Sequence, residues 1–371
     1  MKRSLVIPAA LLCSFGALGH HSAGVYFDVD AVIELSGEIT EVVWRNPHVY
    51  FTVQATDGES WNVESNSVSI LRRMGLTEGL VNAGDRVQIA GWPGRQRENR
   101  VFALNMLLPD GVELILWPGM AARWSDDPMG AAGAMAADGE SPPSSLGIGN
   151  DIFRVWSSNM ANPASFPLFL DVAGASPEYP LTEAAIAARA TWDPAAENPY
   201  LTCEPVGMPR IMGQPYPMEF IDEGERIVLR IELYDVVRSI HMESEASGEV
   251  SGEVYGVESQ ASGEESGAVS GADEPAPAPQ GYSRGTWEGS TLVVRTSRLG
   301  WPYFDQSGIP QSPQAELLER FTPSADGTRL DYVLTVTDPA TFTEPVTLEK
   351  YWTWRPDAQV RPFECNAEYR P

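Results

Sequence analysis

From Val32 onward, apolar and polar residues alternate through "VIELSGEITEVVWRNPHVYFTVQATDG", passing Gly37 and stopping at the turn pair Asp57-Gly58. A period of two marks half-buried strands. "ESWNVES" continues the pattern as a third strand. In "SVSILRRMGL" the period lengthens to that of a short helix, with Ser67 placed to cap its start and Gly75 to stop it. "DRVQIAGWPG" and "VFALNMLLPDGVELIL" read as two more strands. Three strands, a short helix and two strands is the order of an OB-type barrel. Closing so short a sheet removes its exposed edges.

A second series begins beyond residue 150. "DIFRVWSS" is compatible with a short helix or a strand. "PLTEAAIAARATWD" predicts a helix capped by Thr182, with Glu183 in its first turn. "NPYLTCEPVGMPRIMGQPYPMEF" is proline-rich and irregular. "RIVLRIELYDVVRSIHM" predicts a strand with Ile227, Leu229, Ile231 and Leu233 on one face and Arg230 and Glu232 on the other. "GYSRGTWEGSTLVVRTSRL" predicts a hairpin about Glu288-Gly289-Ser290, and "ELLERFTPSADGTRLDYVLTVTDP" another about Asp326-Gly327. "TLEKYWTWRP" adds a strand. The fold class is mainly β, with few short helices: a small OB-like barrel plus a larger antiparallel β-barrel or curved sheet, of which a lipocalin-like barrel is one form. Such barrels can hold an apolar ligand.

Between these patterned regions the periodicity fails. Residues 117–150, with "GAAGAMAADGESPPSSLGIG", read as a flexible linker. Residues 243–280 carry nine acidic residues and no basic one, and repeat Ser-Gly-Glu-Val at Ser247 and Ser251. So charged and repetitive a stretch cannot bury enough surface to fold. It predicts a disordered insert within the second domain. At the other end, Lys2 and Arg3 precede the apolar run Leu5–Phe15, and Ala17-Leu18-Gly19 offers small residues for a signal peptidase. The organisation expected is a signal peptide over 1–19, an OB-like domain over 20–116, the linker, and an antiparallel β domain with a helical entry over 151–371.

Composition narrows the partners. The 371-residue chain carries 51 acidic and 25 basic residues, a formal charge of −26 that becomes −28 once Lys2 and Arg3 are removed. That field repels phosphate backbones and anionic lipid, so nucleic acid is not an expected partner. No later apolar run is long enough for a membrane span. The expected location is the periplasm or the medium, after cleavage between Gly19 and His20. In such an oxidising space the two remaining cysteines, Cys203 and Cys365, are expected to form a disulfide.

Two groups of residues carry candidate chemistry. A new amino terminus at His20 would offer an amine and an imidazole together, and His21 or His48 could supply a third nitrogen. Copper(II) favours such a set, with Asp28 or Glu64 available as an oxygen ligand. Equally, His48 could simply bond a neighbouring carbonyl. In the second domain Glu219, Glu232, Arg238, His241, Arg284, Trp287 and Glu288 are candidates to line a ligand pocket, and a carboxylate with a histidine can do acid–base work. Solvated strand faces or a buried ion pair are the plainer alternatives. Glycine-elbow, P-loop, dinucleotide and His-Glu-x-x-His signatures are absent from the sequence.

His20-His21-Ser22, Gly37–Val42, Asn46-Pro47-His48 and Gly84-Asp85-Arg86-Val87 resemble an uncharacterised family of exported bacterial OB-like domains. "NPYLTCEPVGMPR", "VVRSIHM", "GYSRGTWEGSTLVVRTS" and "TVTDPATFTEPVT" resemble a second group of uncharacterised exported β-rich proteins. There the His-Met position usually continues into Asp-Gly-Arg-Pro-His, which Glu243-Ser244-Glu245 and the acidic insert replace here. Both resemblances imply export and β structure, and neither brings an activity. The function expected is that of an exported binding or accessory protein, non-enzymatic, with a small molecule or envelope protein as partner. The alternatives are a copper-binding protein or oxidoreductase using His20, and a hydrolase using Glu232 and His241.

Overall fold

A computed structural model describes residues 26–95, 98–130, 152–159, 168–169, 178–193, 197, 203–243, 275–356 and 358–365. The expected leader, His20, His21, residues 131–150 of the expected linker and residues 244–274 of the acidic insert lie outside the described residues.

The first barrel consists of β1 (Ile33–Val43), β2 (Tyr50–Ala55), β3 (Ser60–Glu64), α1 (Val68–Arg73), β4 (Arg86–Pro93), β5 (Arg100–Leu107) and β6 (Glu113–Ile115). Strand order is β3-β2-β1-β4-β5-β6, and β3 also runs parallel to β5, closing five strands on themselves. Inward residues of alternating strands, among them Ile39, Val53, Val63, Ile89 and Val101, fill the interior. Tight curvature requires glycine at two places. A Cβ on Gly37 would stand 2.4 Å from the Gln54 carbonyl oxygen, and one on Gly91 would stand 2.2 Å from that of Phe102. Both closures would fail with any side chain there. As the sequence predicts, the Ser67 hydroxyl accepts from the Ile70 amide at 3.3 Å at the start of α1, and Gly75 turns the chain out with φ +79°.

Two details differ from the sequence expectation. Pro109-Asp110-Gly111 breaks the last apolar run into two strands, with Gly111 at φ +88° and its amide bonded to the Leu108 carbonyl. The start of the expected linker, residues 117–130, folds back on the barrel. There the buried carboxylate of Glu113 accepts backbone N–H bonds from Arg123, Trp124 and Ser125, each at 2.8 Å, and a bond from the Asn105 side-chain amide at 2.7 Å. Burial alone would raise this carboxyl, but the four donors outweigh it and hold it below the usual range. The linker composition therefore begins well before the chain leaves the barrel.

The larger barrel is built from β7 (Val155–Ser157), β8 (Met218–Asp222), β9 (Arg226–Ile231), β10 (Val236–Met242), β11 (Tyr282–Glu288), β12 (Thr291–Ser297), β13 (Glu316–Pro323), β14 (Arg329–Thr337) and β15 (Val346–Trp354). The nine close in chain order, with β15 pairing β7 and β9 pairing β10. A ring whose neighbours are all antiparallel needs an even number of strands. Nine therefore force one parallel joint, and it falls between β10 and β11. Parallel neighbours need a long crossover rather than a turn. The acidic insert is that crossover.

The predicted single strand over 226–242 is instead the hairpin β9–β10, pairing Ile231 with Val236. Its turn places Tyr234 and Asp235 at φ +54° and +53° without any glycine to announce it. Helix α2 (Glu183–Thr191) is capped by Thr182 as expected, its hydroxyl accepting from the Ala185 amide at 3.2 Å.

Helix α1 and the Asn46 loop of the small barrel dock on the large one. Ile70 packs against the large core, and the Tyr216 hydroxyl bonds the Ser67 hydroxyl at 3.0 Å. Arg73 donates to the carbonyls of Pro215 and Ser158. The C-terminal segment runs between them: Cys365 forms a parallel bridge with Asn46, whose side-chain amide donates to the Phe363 carbonyl. Cys365 is disulfide-bonded to Cys203 across a sequence separation of 162.

Candidate functional site

In the small barrel, His48 follows β1 and leads into β2. Its Nδ1 lies 2.8 Å from the Ser65 carbonyl oxygen. A carbonyl can only accept, so Nδ1 carries the proton, and in the neutral ring Nε2 keeps its lone pair. Glu64 Oε1 stands 3.4 Å from the same Nδ1, and its other oxygen accepts from Arg100 at 2.6 Å. Arg100 in turn sits over the Phe27 and Tyr26 rings, at 4.9 and 5.8 Å. Burial raises the Tyr26 hydroxyl above its ordinary value, more than the Arg100 charge lowers it. Phe102 meets the His48 ring edge-on at 6.2 Å.

His48 thus presents an oriented imidazole, about one-third exposed, above a bound carboxylate–guanidinium pair. That arrangement suits a ligand nitrogen or a proton acceptor. Asp28 does not join it, being paired with Arg95 at 3.1 Å. His20 and His21 lie outside the described residues. Among the described residues no three metal-binding side chains come together.

The larger barrel does not gather its candidate residues into one pocket. Arg238 faces inward, fully buried. Its Nη1 donates to Glu319 Oε1 at 2.9 Å, and its Nη2 donates to the other carboxylate oxygen and to the Thr296 hydroxyl at 2.7 Å. Its Nε donates to the Ser283 hydroxyl at 3.0 Å, and the Tyr332 hydroxyl donates to Glu319 Oε1 at 2.9 Å. Burial pushes the Arg238 guanidinium down, but the Glu319 charge and hydrogen bonds overcome this and leave it raised, so the guanidinium stays charged. Burial first, and the Glu319 charge second, raise Tyr332 well above ordinary tyrosine.

Glu232 is buried elsewhere, between the barrels. It accepts from Arg72 at 3.1 Å and from the Arg361 amide at 3.1 Å. His241 is exposed at the far end of β10, its ring tilted at 5.0 Å against Tyr282, which Arg284 also covers. Glu219 lies on β8 beside Arg230 at 3.7 Å. Trp287 is exposed against Phe153, and Glu288 is paired with Arg320 at 2.8 Å. Glu232 and His241 therefore do not form an acid–base pair; the length of β10 separates them, about 17 Å at strand rise.

Sequence reasoning missed Glu319, Tyr332, Ser283 and Thr296 as the partners of Arg238, and missed the inward Lys350. A signal was present: Leu317-Glu319-Phe321 and Leu348-Lys350-Trp352 each place a charge on the apolar side of an alternating strand. Residues 9–102 match a family of unknown function, DUF6152, a stretch that holds His48, Glu64 and Arg100. No curated protein matches the chain.

Proposed function

We propose that the chain is an exported binding or accessory protein built of two barrels, acting in the periplasm or the medium after cleavage between Gly19 and His20, and that His48 marks its binding site. The leader pattern and the Cys203–Cys365 disulfide support export. So do the resemblances of both halves to exported families. One observation carries the binding reading. Of the polar groups singled out, Arg238 and Glu232 are consumed by internal partners, whereas the unprotonated nitrogen of His48 makes no hydrogen bond among the described residues. Native mass spectrometry of the mature protein taken from its own cell envelope tests this. A retained small molecule or partner that is lost in His48→Ala is expected; protein that is empty in both forms overturns it.

A copper-binding role is the second reading. The oriented Nε2 of His48 favours it. His20 is six residues from Tyr26, a reach of about 21 Å at full extension, and Tyr26 rests on the Arg100 that holds Glu64. Copper(II) spin resonance of the mature protein should show nitrogen hyperfine structure that His20→Ala and His48→Ala each diminish. A spectrum identical to free copper ends the reading.

A further inference from the structure

Lys350 is the only lysine beyond residue 2. It lies on the inward row of β15, between Leu348 and Trp352, and is buried. Its Nζ has one hydroxyl partner, Ser158 Oγ at 3.3 Å, and lies 4.7 Å from the Trp352 ring. Among the described residues it forms no ion pair. Directly across in β14 stands Tyr332, whose hydroxyl is given to Glu319; that carboxylate is in turn occupied by Arg238. The other charged group acting on the amine is a cation, Arg210.

An ammonium group has three protons to place and accepts nothing, so one distant hydroxyl leaves it poorly served. A neutral amine fits this setting: one hydrogen bond, one ring face, one free lone pair. Burial first, and the Arg210 charge second, push the amine down to about 7. At neutral pH about half the molecules then carry the free base, against roughly one in a few thousand for an ordinary lysine. Desolvation together with a neighbouring cation is how lysine nucleophiles are activated.

β7 contributes three residues and pairs with β15 through only two rungs, Thr353 with Ser157 and Trp354 with Trp156. Lys350 lies three residues before the first of them.

We propose that Lys350 is an amine nucleophile that captures a small aldehyde or ketone inside the larger barrel as an imine. The nitrogen lone pair attacks the carbonyl carbon, and the carbonyl π electrons move to oxygen. The carbinolamine so formed loses water, whose two hydrogens come from the amine. Neither oxidant nor reductant is required, and the Ser158 hydroxyl is placed to relay a proton from nitrogen.

The test uses the full mature chain, acetaldehyde as probe and cyanoborohydride to fix the imine, with peptide mass mapping. The amino-terminal amine is an internal control. Ethylation of Lys350 in the folded protein at pH 7 is expected, rising to half its maximum near pH 7. In urea the half-maximum should move to that of ordinary lysine. Lys350→Arg, checked for folding by circular dichroism, should lose the internal label and keep the terminal one. Labelling of the terminal amine alone in the folded protein overturns the proposal. So does labelling of Lys350 only after unfolding, or with a folded-state half-maximum near pH 10.

Discussion

Replacing Arg238 by Met tests how the larger barrel tolerates ions in its core. The substitution keeps an inward apolar stem of similar length and removes the guanidinium. Glu319 would then remain buried with only the Tyr332 and Thr296 hydroxyls as donors, at 2.9 and 3.3 Å. Ser283 and Thr296 already touch at 3.0 Å and can satisfy each other, so they add little to the loss. What remains is an uncompensated buried carboxylate, which costs about 3–5 kcal/mol. With a urea dependence of about 2 kcal/mol per molar, the midpoint should fall by about 2 M. Tryptophan fluorescence reports the transition, since Trp156 and Trp352 are both buried in this barrel. The double variant Arg238→Met/Glu319→Leu removes both charges and should recover most of the loss, because a buried pair is on average no better than well-packed apolar groups. A single variant that shifts the midpoint by less than about 0.5 M would refute this account of the core. So would a double variant as unstable as the single one.

Three further outcomes follow from the same geometry. Reducing Cys203–Cys365 reopens a 162-residue separation, and the chain-entropy relation puts the lost stability at up to about 5 kcal/mol, measurable by urea melts with and without a phosphine reductant. Arg72→Met leaves buried Glu232 with only the Arg361 amide, so calorimetry should show the two barrels melting at more widely separated temperatures than in wild type. The folded Lys350 amine titrates near 7, below its unfolded value, so between there and about pH 10 the unfolded chain binds more protons and this residue's contribution to stability rises with pH. Above about pH 10 the raised Tyr332 reverses the slope, because only the unfolded chain then releases that proton; Lys350→Met should flatten the rise and keep the fall, as urea midpoints across pH will show.

The strands were legible in the sequence because inward and outward residues differ so cleanly. Leu317, Phe321, Leu330 and Leu334 announce their faces, and Gly289 and Gly327 announce their turns with φ +62° and +68°. The turn at Tyr234-Asp235 was hidden because it has no glycine, tyrosine does not signal a left-handed backbone, and a single aspartate signals it only weakly. β7 stayed open between helix and strand for another reason: three residues carry too little periodicity, and only the edges of β8 and β15 make Val155–Ser157 a strand. For the candidate sites, residue type pointed to Arg238, Glu232 and His48, and the apolar alternation already held the inward direction of Arg238. Partnership was not legible. Glu319 lies 81 residues from Arg238, and Arg72 lies 160 residues from Glu232. Nothing local couples such positions.

The parallel joint gives the acidic segment a freedom that the two-residue hairpin turns of the larger barrel lack. Hairpin turns such as Gly289-Ser290 fix the alignment of the strands they join, so one added residue there would turn a whole face inside out. Met242 and Tyr282 face no such constraint, since a crossover need only be long enough. Residues can accumulate, repeat or vanish in that passage while every ladder keeps its pairing. The duplicated Ser-Gly-Glu-Val tetrad sits where copying errors leave the fold untouched.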